Sequence, residues 1–321
     1  MTIARRTLLA SPALLAAGAA RAQSWPARPV QLLVGYPAGT GIDSVARFYA
    51  EQLRTRTGGN VVVVNKAGAY GNIAAADTAR AAGDGSTILV TPNTPLTVNP
   101  HLIRPMPFDP QRDLAPVATL ARWGFVLLVN PETTPVASIA ELTALLKRPG
   151  GNATFASGNF GGRAAAELYR LGIGAEATHV SYRSVPAAIV DLLAGRVTFM
   201  FADVVAGLPQ VRGGKLRALA VTNGTRLAAL PQVPTLVESG IANGEVVSWF
   251  AALLPASAPD AVRQPVFAAF DAVTRSDATR DFLAATAAEP LPGTPEQLSA
   301  FIVAEQSRWG DLVRAARIEM D

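Results

Sequence analysis

Short apolar runs that end in glycine-rich turns and lead into helix-spaced segments recur along this chain. That alternation constrains its fold more than any other feature. Val30 to Tyr36 reads as a strand, Pro37 to Gly41 as a turn, and Ile42 to Thr55 as a helix with Val45, Phe48, Tyr49 and Leu53 at helical spacing. Val61 to Asn65 is a β-branched run suited to a buried parallel strand. The turn Ala67 to Gly71 then leads into a small-residue helix, Asn72 to Ala82, and Thr87 to Thr91 is a third strand. Together these make a βαβαβ half of a doubly wound sheet.

The pattern breaks and then restarts. Pro92 to Pro116 carries seven prolines, and the sequence predicts no helix there. Trp123 to Asn130 is an extended apolar segment. A helix is expected over Ser138 to Lys147, with Ser138 as N-cap and Glu141 at the capping-box spacing. The second repeat continues as strand Thr154 to Ser157, turn Gly158 to Gly162, helix Arg163 to Leu171, strand Thr178 to Tyr182 and helix Val185 to Leu193. Strand Val197 to Phe201, a helical turn Ala206 to Arg212 and strand Leu216 to Thr222 complete it. Glu245 to Leu254 is a second extended segment, followed by helices Ala261 to Thr274, Asp277 to Ala288 and Pro295 to Ala316. On the last helix Ile302, Glu305, Trp309 and Leu312 share one face.

The expected architecture is therefore α/β, with two lobes joined by two extended crossing segments. Residues 23–122 and 233–321 form lobe 1, and residues 123–232 form lobe 2. Ligands of open α/β sheets bind at the carboxyl ends of strands, and a cleft between two such lobes is a favoured pocket.

Residues 1–22 read as an export signal. Arg5 and Arg6 form a basic start, Leu8 to Ala20 is an apolar core too short to cross a bilayer, and Ala20-Arg21-Ala22 is an A-x-A cleavage site. The paired arginines suit either a twin-arginine signal or an ordinary secretory one. The charge of the 321-residue chain depends on this segment. Three of its 28 Lys and Arg residues lie there, so 25 basic residues face 24 acidic ones afterwards and a net +4 becomes +1. The remaining basic residues are scattered, which argues against a nucleic-acid partner. A soluble exported protein of the periplasm is expected.

Three strand-to-helix turns could carry function: Pro37 to Asp43, Ala67 to Asn72 and Ser157 to Gly162. Unpaired N–H groups at a helix start, together with the helix dipole, bind an anion without a charged side chain. The same glycines could serve chain reversal alone. The chain has no cysteine and two histidines, so thiol chemistry and a Cys-based metal site are excluded and no metal is expected. His179 lies inside a strand and reads as structural. No Ser-His-Asp set, paired carboxylates, Walker loop or nucleophile elbow can be assembled. No catalytic residue and no cofactor are expected; holding a ligand fits better than transforming one.

Motifs at these turns and beyond them closely resemble one family. They are Trp25-Pro26-Ala27-Arg28-Pro29-Val30, Ala38 to Asp43, Gly68 to Ile73, Gly83 to Thr87, Asn99-Pro100-His101-Leu102, Pro107 to Pro110, Asp113 to Val117 and Ser157-Gly158-Asn159. His179 to Arg183 with Asp191 to Gly195, Pro234 to Gly240 and Ser248-Trp249-Phe250 complete the set. Over about Trp25 to Ile318 the chain resembles the Bug-type extracytoplasmic solute receptors, the TctC family of tripartite tricarboxylate transporters. The resemblance implies a two-lobed periplasmic-binding-protein fold, type II-like, that closes on a small organic acid or amino acid. It implies a monomer that delivers this ligand to membrane permease subunits. By position, Tyr36, Ala38, Gly39, Thr40, Asp43, Ala69 and Tyr70 would face the ligand from lobe 1, and Ser157, Gly158, Asn159 and Asp203 from lobe 2.

Thr40 stands where the family usually has a second glycine, Tyr70 replaces a common glycine, and Ser184 replaces the glycine after Tyr-Lys/Arg. These departures leave the ligand open. Arg163, in the first turn of its helix, either grips a distal carboxylate or is a solvated helix arginine. Asp43 either accepts a hydrogen bond from the ligand, as Asp203 could, or caps its helix. A secreted α/β enzyme acting on a small carboxylate and a ligand-presenting partner of a membrane kinase remain as alternatives.

Overall fold

The computed structural model describes residues 25–318 except 243, 286 and 316, so the export segment 1–22 lies outside the described residues. The first βαβαβ unit forms as its pattern predicts: β1 (Val30–Val34), α1 (Gly41–Thr57), β2 (Val61–Asn65), α2 (Asn72–Ala79) and β3 (Thr87–Pro92). β1 lies between β2 and β3, parallel to both. Buried Leu32, Val34, Ile88 and Val90 pack against Val45, Tyr49 and Leu53 of α1, which is the face read from helical spacing.

The proline-rich stretch departs from expectation. It holds a π-type turn, Thr94–Val98, and a short helix α3 (Asn99–Leu102). Pro95 and Pro100 sit in the first turn of each, where a backbone N–H has no helical partner to lose.

The first crossing segment is longer than its apolar run suggests. β4 covers Leu114–Val129 as one strand of 16 residues. Leu114 to Gly124 pairs antiparallel with β9 (Val247–Pro255), while Phe125 to Val129 pairs with β7 (Phe199–Asp203) and β8 (Arg217–Val221). Pro116 is accommodated because the register shifts between Pro116 and Ala118. The remaining strands are β5 (Thr154–Ser157) and β6 (Thr178–Ser181), parallel to each other, and a two-residue β10 (Glu289–Pro290) beside β4. The resulting strand order is β2-β1-β3-β9-β4-β7-β5-β6. The whole is a two-lobed α/β fold in which each half mixes parallel and antiparallel pairs.

The helices of the second half are α4 (Ile139–Leu146), α5 (Phe160–Ile173), α6 (Val185–Leu193) and α7 (Val204–Arg212). Ser138 caps α4 by accepting the Glu141 N–H, and Glu141 Oε2 accepts the Ala137 N–H at 2.8 Å. The tail consists of α8 (Asp260–Thr274), α9 (Asp277–Ala284) and α10 (Pro295–Ala315).

Packing of the tail differs in part from the sequence division. Leu298 and Ile302 of α10 join the first-half core, but Trp309 and Val313 pack with Phe160 and Tyr169 of the second. Leu236, Ile241 and Val246, assigned from sequence to lobe 1, pack in that same second-half cluster. The reason lies in β-pairing and hydrogen bonding: Thr235 bridges Val221 of β8, and the Leu236 N–H donates to the Val221 carbonyl at 2.8 Å.

Candidate functional site

Four helix N-termini meet where the two halves of the sheet face each other. Gly41 and Ile42 of α1, Gly161 of α5, Val185 of α6 and Asp203, just before α7, line one cavity of about 40 Å³. First-turn N–H groups of a helix have no internal acceptor, so each start presents donors and a positive dipole end.

The β1–α1 turn is held from within. Thr40 Oγ1 donates to the Pro37 carbonyl at 2.8 Å. Asp43 Oδ2 accepts the Gly39 N–H at 2.9 Å and Arg47 Nε at 3.0 Å, while Oδ1 accepts Asn65 Nδ2 at 2.9 Å. Burial pushes the Asp43 carboxyl up, but these bonds from Arg47, Gly39 and Asn65 outweigh it and hold the pKa below the usual carboxylate value. Asp43 thus spends both oxygens on its own lobe.

On the second lobe, Gly158 passes so close to the β6–α6 turn that a Cβ there would lie 2.2 Å from the Ser184 carbonyl carbon. Only glycine fits. Asn159 caps α5 by accepting the Gly162 N–H at 2.9 Å, and its Nδ2 donates to Asp203 Oδ1 at 2.9 Å. Trp123 Nε1 donates to the same oxygen at 3.1 Å, and the Trp123 ring lies 3.6 Å from Phe250 as an aromatic wall. Asp203 is buried, which raises its pKa against the opposing bonds from Trp123 and Asn159. Its other oxygen, Oδ2, faces Gly41 across the cavity.

Tyr36 and Gly158 also line a neighbouring cavity of about 430 Å³. Its first-lobe wall is made by residues 35–37 and 67–70, and the loop 68–71 has positive φ at all four residues, including Ala69 at 47° and Tyr70 at 51°. The Tyr70 carbonyl is fixed by the Tyr36 hydroxyl and Asn99 Nδ2, each donating at 3.2 Å. Burial raises the Tyr36 pKa further above its ordinary value, so the phenol stays neutral and donates.

Of the residues singled out from sequence, Tyr36, Thr40, Gly158, Asn159 and Asp203 line the smaller cavity, and Ala69 and Tyr70 the larger one. Ala38 and Gly39 form an exposed loop tip and line neither. Ser157 is buried behind the turn, where its Oγ lies 2.7 Å from His179 Nε2, and that ring stacks on Phe155. Arg163 is buried on α5 and lines neither cavity. His101 is structural too: Nε2 lies 2.7 Å from the Gln306 carbonyl.

Sequence reading missed Thr94, Trp123, Val185, Ser248 and Phe250 at the smaller cavity and Ser181 to Arg183 at the larger. The β6–α6 turn could have been found, because it follows a strand exactly as the other site turns do. Among the described residues no cluster of three His, Asp or Glu side chains could hold a metal, and no helix is long and apolar enough to cross a membrane.

Residues 45–318 match the family described as tripartite tricarboxylate transporter family receptor. The chain is 34% identical over 296 residues to protein BugT of Bordetella pertussis, spanning 91% of this chain and 90% of that protein. Among solved structures it is similar to Rpa4515 of R. palustris with adipate, at TM-score 0.88 and 30% identity, covering 92% of this chain and 99% of that one. It is also similar to MatC of Rhodopseudomonas palustris with bound malate, at TM-score 0.82 and 26% identity, covering 90% and 100%.

Proposed function

The chain belongs to the tripartite tricarboxylate transporter receptor family, and on that premise we propose that it captures a small organic acid between its lobes and hands it to the permease subunits of such a transporter. The convergence of four helix N-termini on one cavity carries this reading. An anion placed there meets preorganised N–H donors from both halves, so its contacts are complete only when the halves are together. The bound acids of Rpa4515 and MatC support a carboxylate as the ligand.

In this reading β4 and β9 are the crossing strands about which the lobes move, and the moving second lobe comprises residues 123–232 with the 235–246 segment that packs in its core. Tyr36, Thr40, Gly158 and Asn159 face the bound head group. Asp203 Oδ2 accepts from a hydroxyl or ammonium on the solute. Asp43 and Ser157 act by holding the turns in place. The protein is exported by the segment 1–22, works in the periplasm as a monomer, and binds without turnover. Ser157 and His179 form a close pair, but neither lines either of the two cavities described above.

A thermal-shift screen of the mature protein across mono-, di- and tricarboxylates and amino acids tests this. A ligand at 100 times its Kd adds about 2.7 kcal/mol to stability, a rise easily seen. No shift with any acid would sink the proposal.

A further inference from the structure

The smaller cavity already holds one carboxylate. Asp203 stands at the N-cap of α7, yet its side chain caps no N–H of that helix. Both hydrogen bonds it accepts, from Trp123 and Asn159, go to Oδ1. Oδ2 accepts none among the described residues and faces the cavity, although the residue as a whole is only 7% exposed.

Among the described residues no cation lines this cavity. Tyr36 is the other ionisable residue of the lining, and its phenol stays neutral and donates to the Tyr70 carbonyl. Charged groups of the elements packed around Asp203 are engaged elsewhere. Arg47 of α1 is bonded to Asp43, Arg122 of β4 pairs with Glu289 of β10, and Asp191 of α6 pairs with Arg196. Arg212, at the far end of α7, donates to the Ala285 carbonyl. Arg163 of α5 lines neither cavity, Arg183 is exposed at the larger one, and His179 of β6 is bonded to Ser157. β3, β5 and β9 carry no charged residue. Two of the four helix starts are also partly spent, since Asn159 accepts the Gly162 N–H of α5 and Ser184 the Ala187 N–H of α6.

A solute carboxylate entering a space of about 40 Å³ therefore meets a second carboxylate with no cation between them. Two ionised carboxylates so close repel, and a single shared proton relieves that repulsion by turning it into an O–H···O⁻ hydrogen bond. We propose that the hydroxyl from which Asp203 accepts is the solute's own carboxyl group, so that the receptor takes up one proton from solvent with each acid it binds. The inference rests on the carboxylate-receptor reading and adds the protonation state in which the acid is held. Solute and Asp203 both enter as carboxylates, one solvent proton joins them at Oδ2, and that proton returns to solvent on release. Burial, which raises the Asp203 pKa, works in the same direction.

Calorimetric titration of the mature protein tests this with butyrate, benzoate, succinate and adipate, acids that carry no other donor, in buffers of differing ionisation enthalpy. The dependence of the heat on the buffer counts the protons taken up. Uptake of about one proton per acid is expected near pH 8, with affinity falling about tenfold for each further pH unit. Asp203→Asn offers an amide N–H in place of the shared proton. Its uptake should be close to zero and its affinity should change by less than about threefold per pH unit over the same range. The proton count and pH slope of the wild type stand on their own if the variant fails to fold. Binding of these acids without uptake, or uptake that survives Asp203→Asn, overturns the shared proton and leaves the carboxylate reading standing. Binding of malate or glutamate without uptake, while the plain acids fail, does the same, because the solute's alcohol or ammonium then meets Oδ2. Failure of every one of these acids to bind overturns both.

Discussion

Two residues show how the site spends stability. Ala69 holds φ at 47°, a left-handed conformation that costs an L-residue about 1–2 kcal/mol, and its methyl is exposed. Glycine there removes that cost and loses no packing, while giving back part of the gain as unfolded-chain entropy. Ala69→Gly is expected to stabilise the protein by about 0.5–1 kcal/mol in urea unfolding; a loss would mean the methyl carries contacts of its own. Asp203 works in the opposite direction to Asp43. Its burial penalises the charged form in the folded state alone, so its pKa is raised. Its contribution to folding is therefore most favourable below the ordinary carboxyl value of about 3.9 and is lost as pH rises through the raised folded value. Asp203→Asn keeps an oxygen for Trp123 and Asn159 and removes the charge. The variant should melt higher than wild type at neutral pH, with the difference closing below about pH 4. An unchanged gap across that window would show that Asp203 is not the group responsible.

Among the elements, α10 has the widest reach. Glu305 on its inner face accepts from Trp249 Nε1 of β9 at 3.1 Å and from Trp309 Nε1 at 3.0 Å, and pairs with Arg308. One buried carboxylate thereby ties the helix to a crossing strand, while its apolar residues enter the cores of both halves. Glu305→Ala strands two buried indole donors and should cost about 2–6 kcal/mol in chemical denaturation, since each orphaned buried donor costs about 1–3 kcal/mol. The shared face of Ile302, Glu305, Trp309 and Leu312 was readable from helical spacing, because 3.6 residues per turn places them together in any tertiary setting. The two helical turns of the proline-rich stretch were not. Whether a proline breaks a helix or begins one depends on where the chain turns before it, and tertiary packing decides that.

For the whole molecule, the cavities are walled from both halves, so solute binding should report on both at once. Hydrogen exchange with and without a saturating acid from the thermal-shift screen is expected to show protection rising together over Gly68–Asn72 and Gly158–Gly162. Protection confined to one loop would contradict closure of the two lobes over a shared ligand.

Local physics settled much of this protein before any packing was known. Strand and helix periodicity, the capping signals at Ser138 and the glycine-rich turns report on nearest neighbours along the chain, so the two-lobed α/β fold and the turns that line the two cavities were legible. Tyr36, Thr40, Gly158 and Asn159, named through the family resemblance, line the smaller cavity because each lies in or beside one of these strand-to-helix turns. Only the tertiary structure decided which side of a turn meets the cavities. It turned Ala38 and Gly39 outward, bonded Asp43 back onto its own loop, buried Arg163 away from the cavities, and brought Trp123, Phe250 and Arg183 to them from distant segments. Which way a loop residue faces, and which remote strand passes beside it, are set by long-range packing that no local pattern encodes.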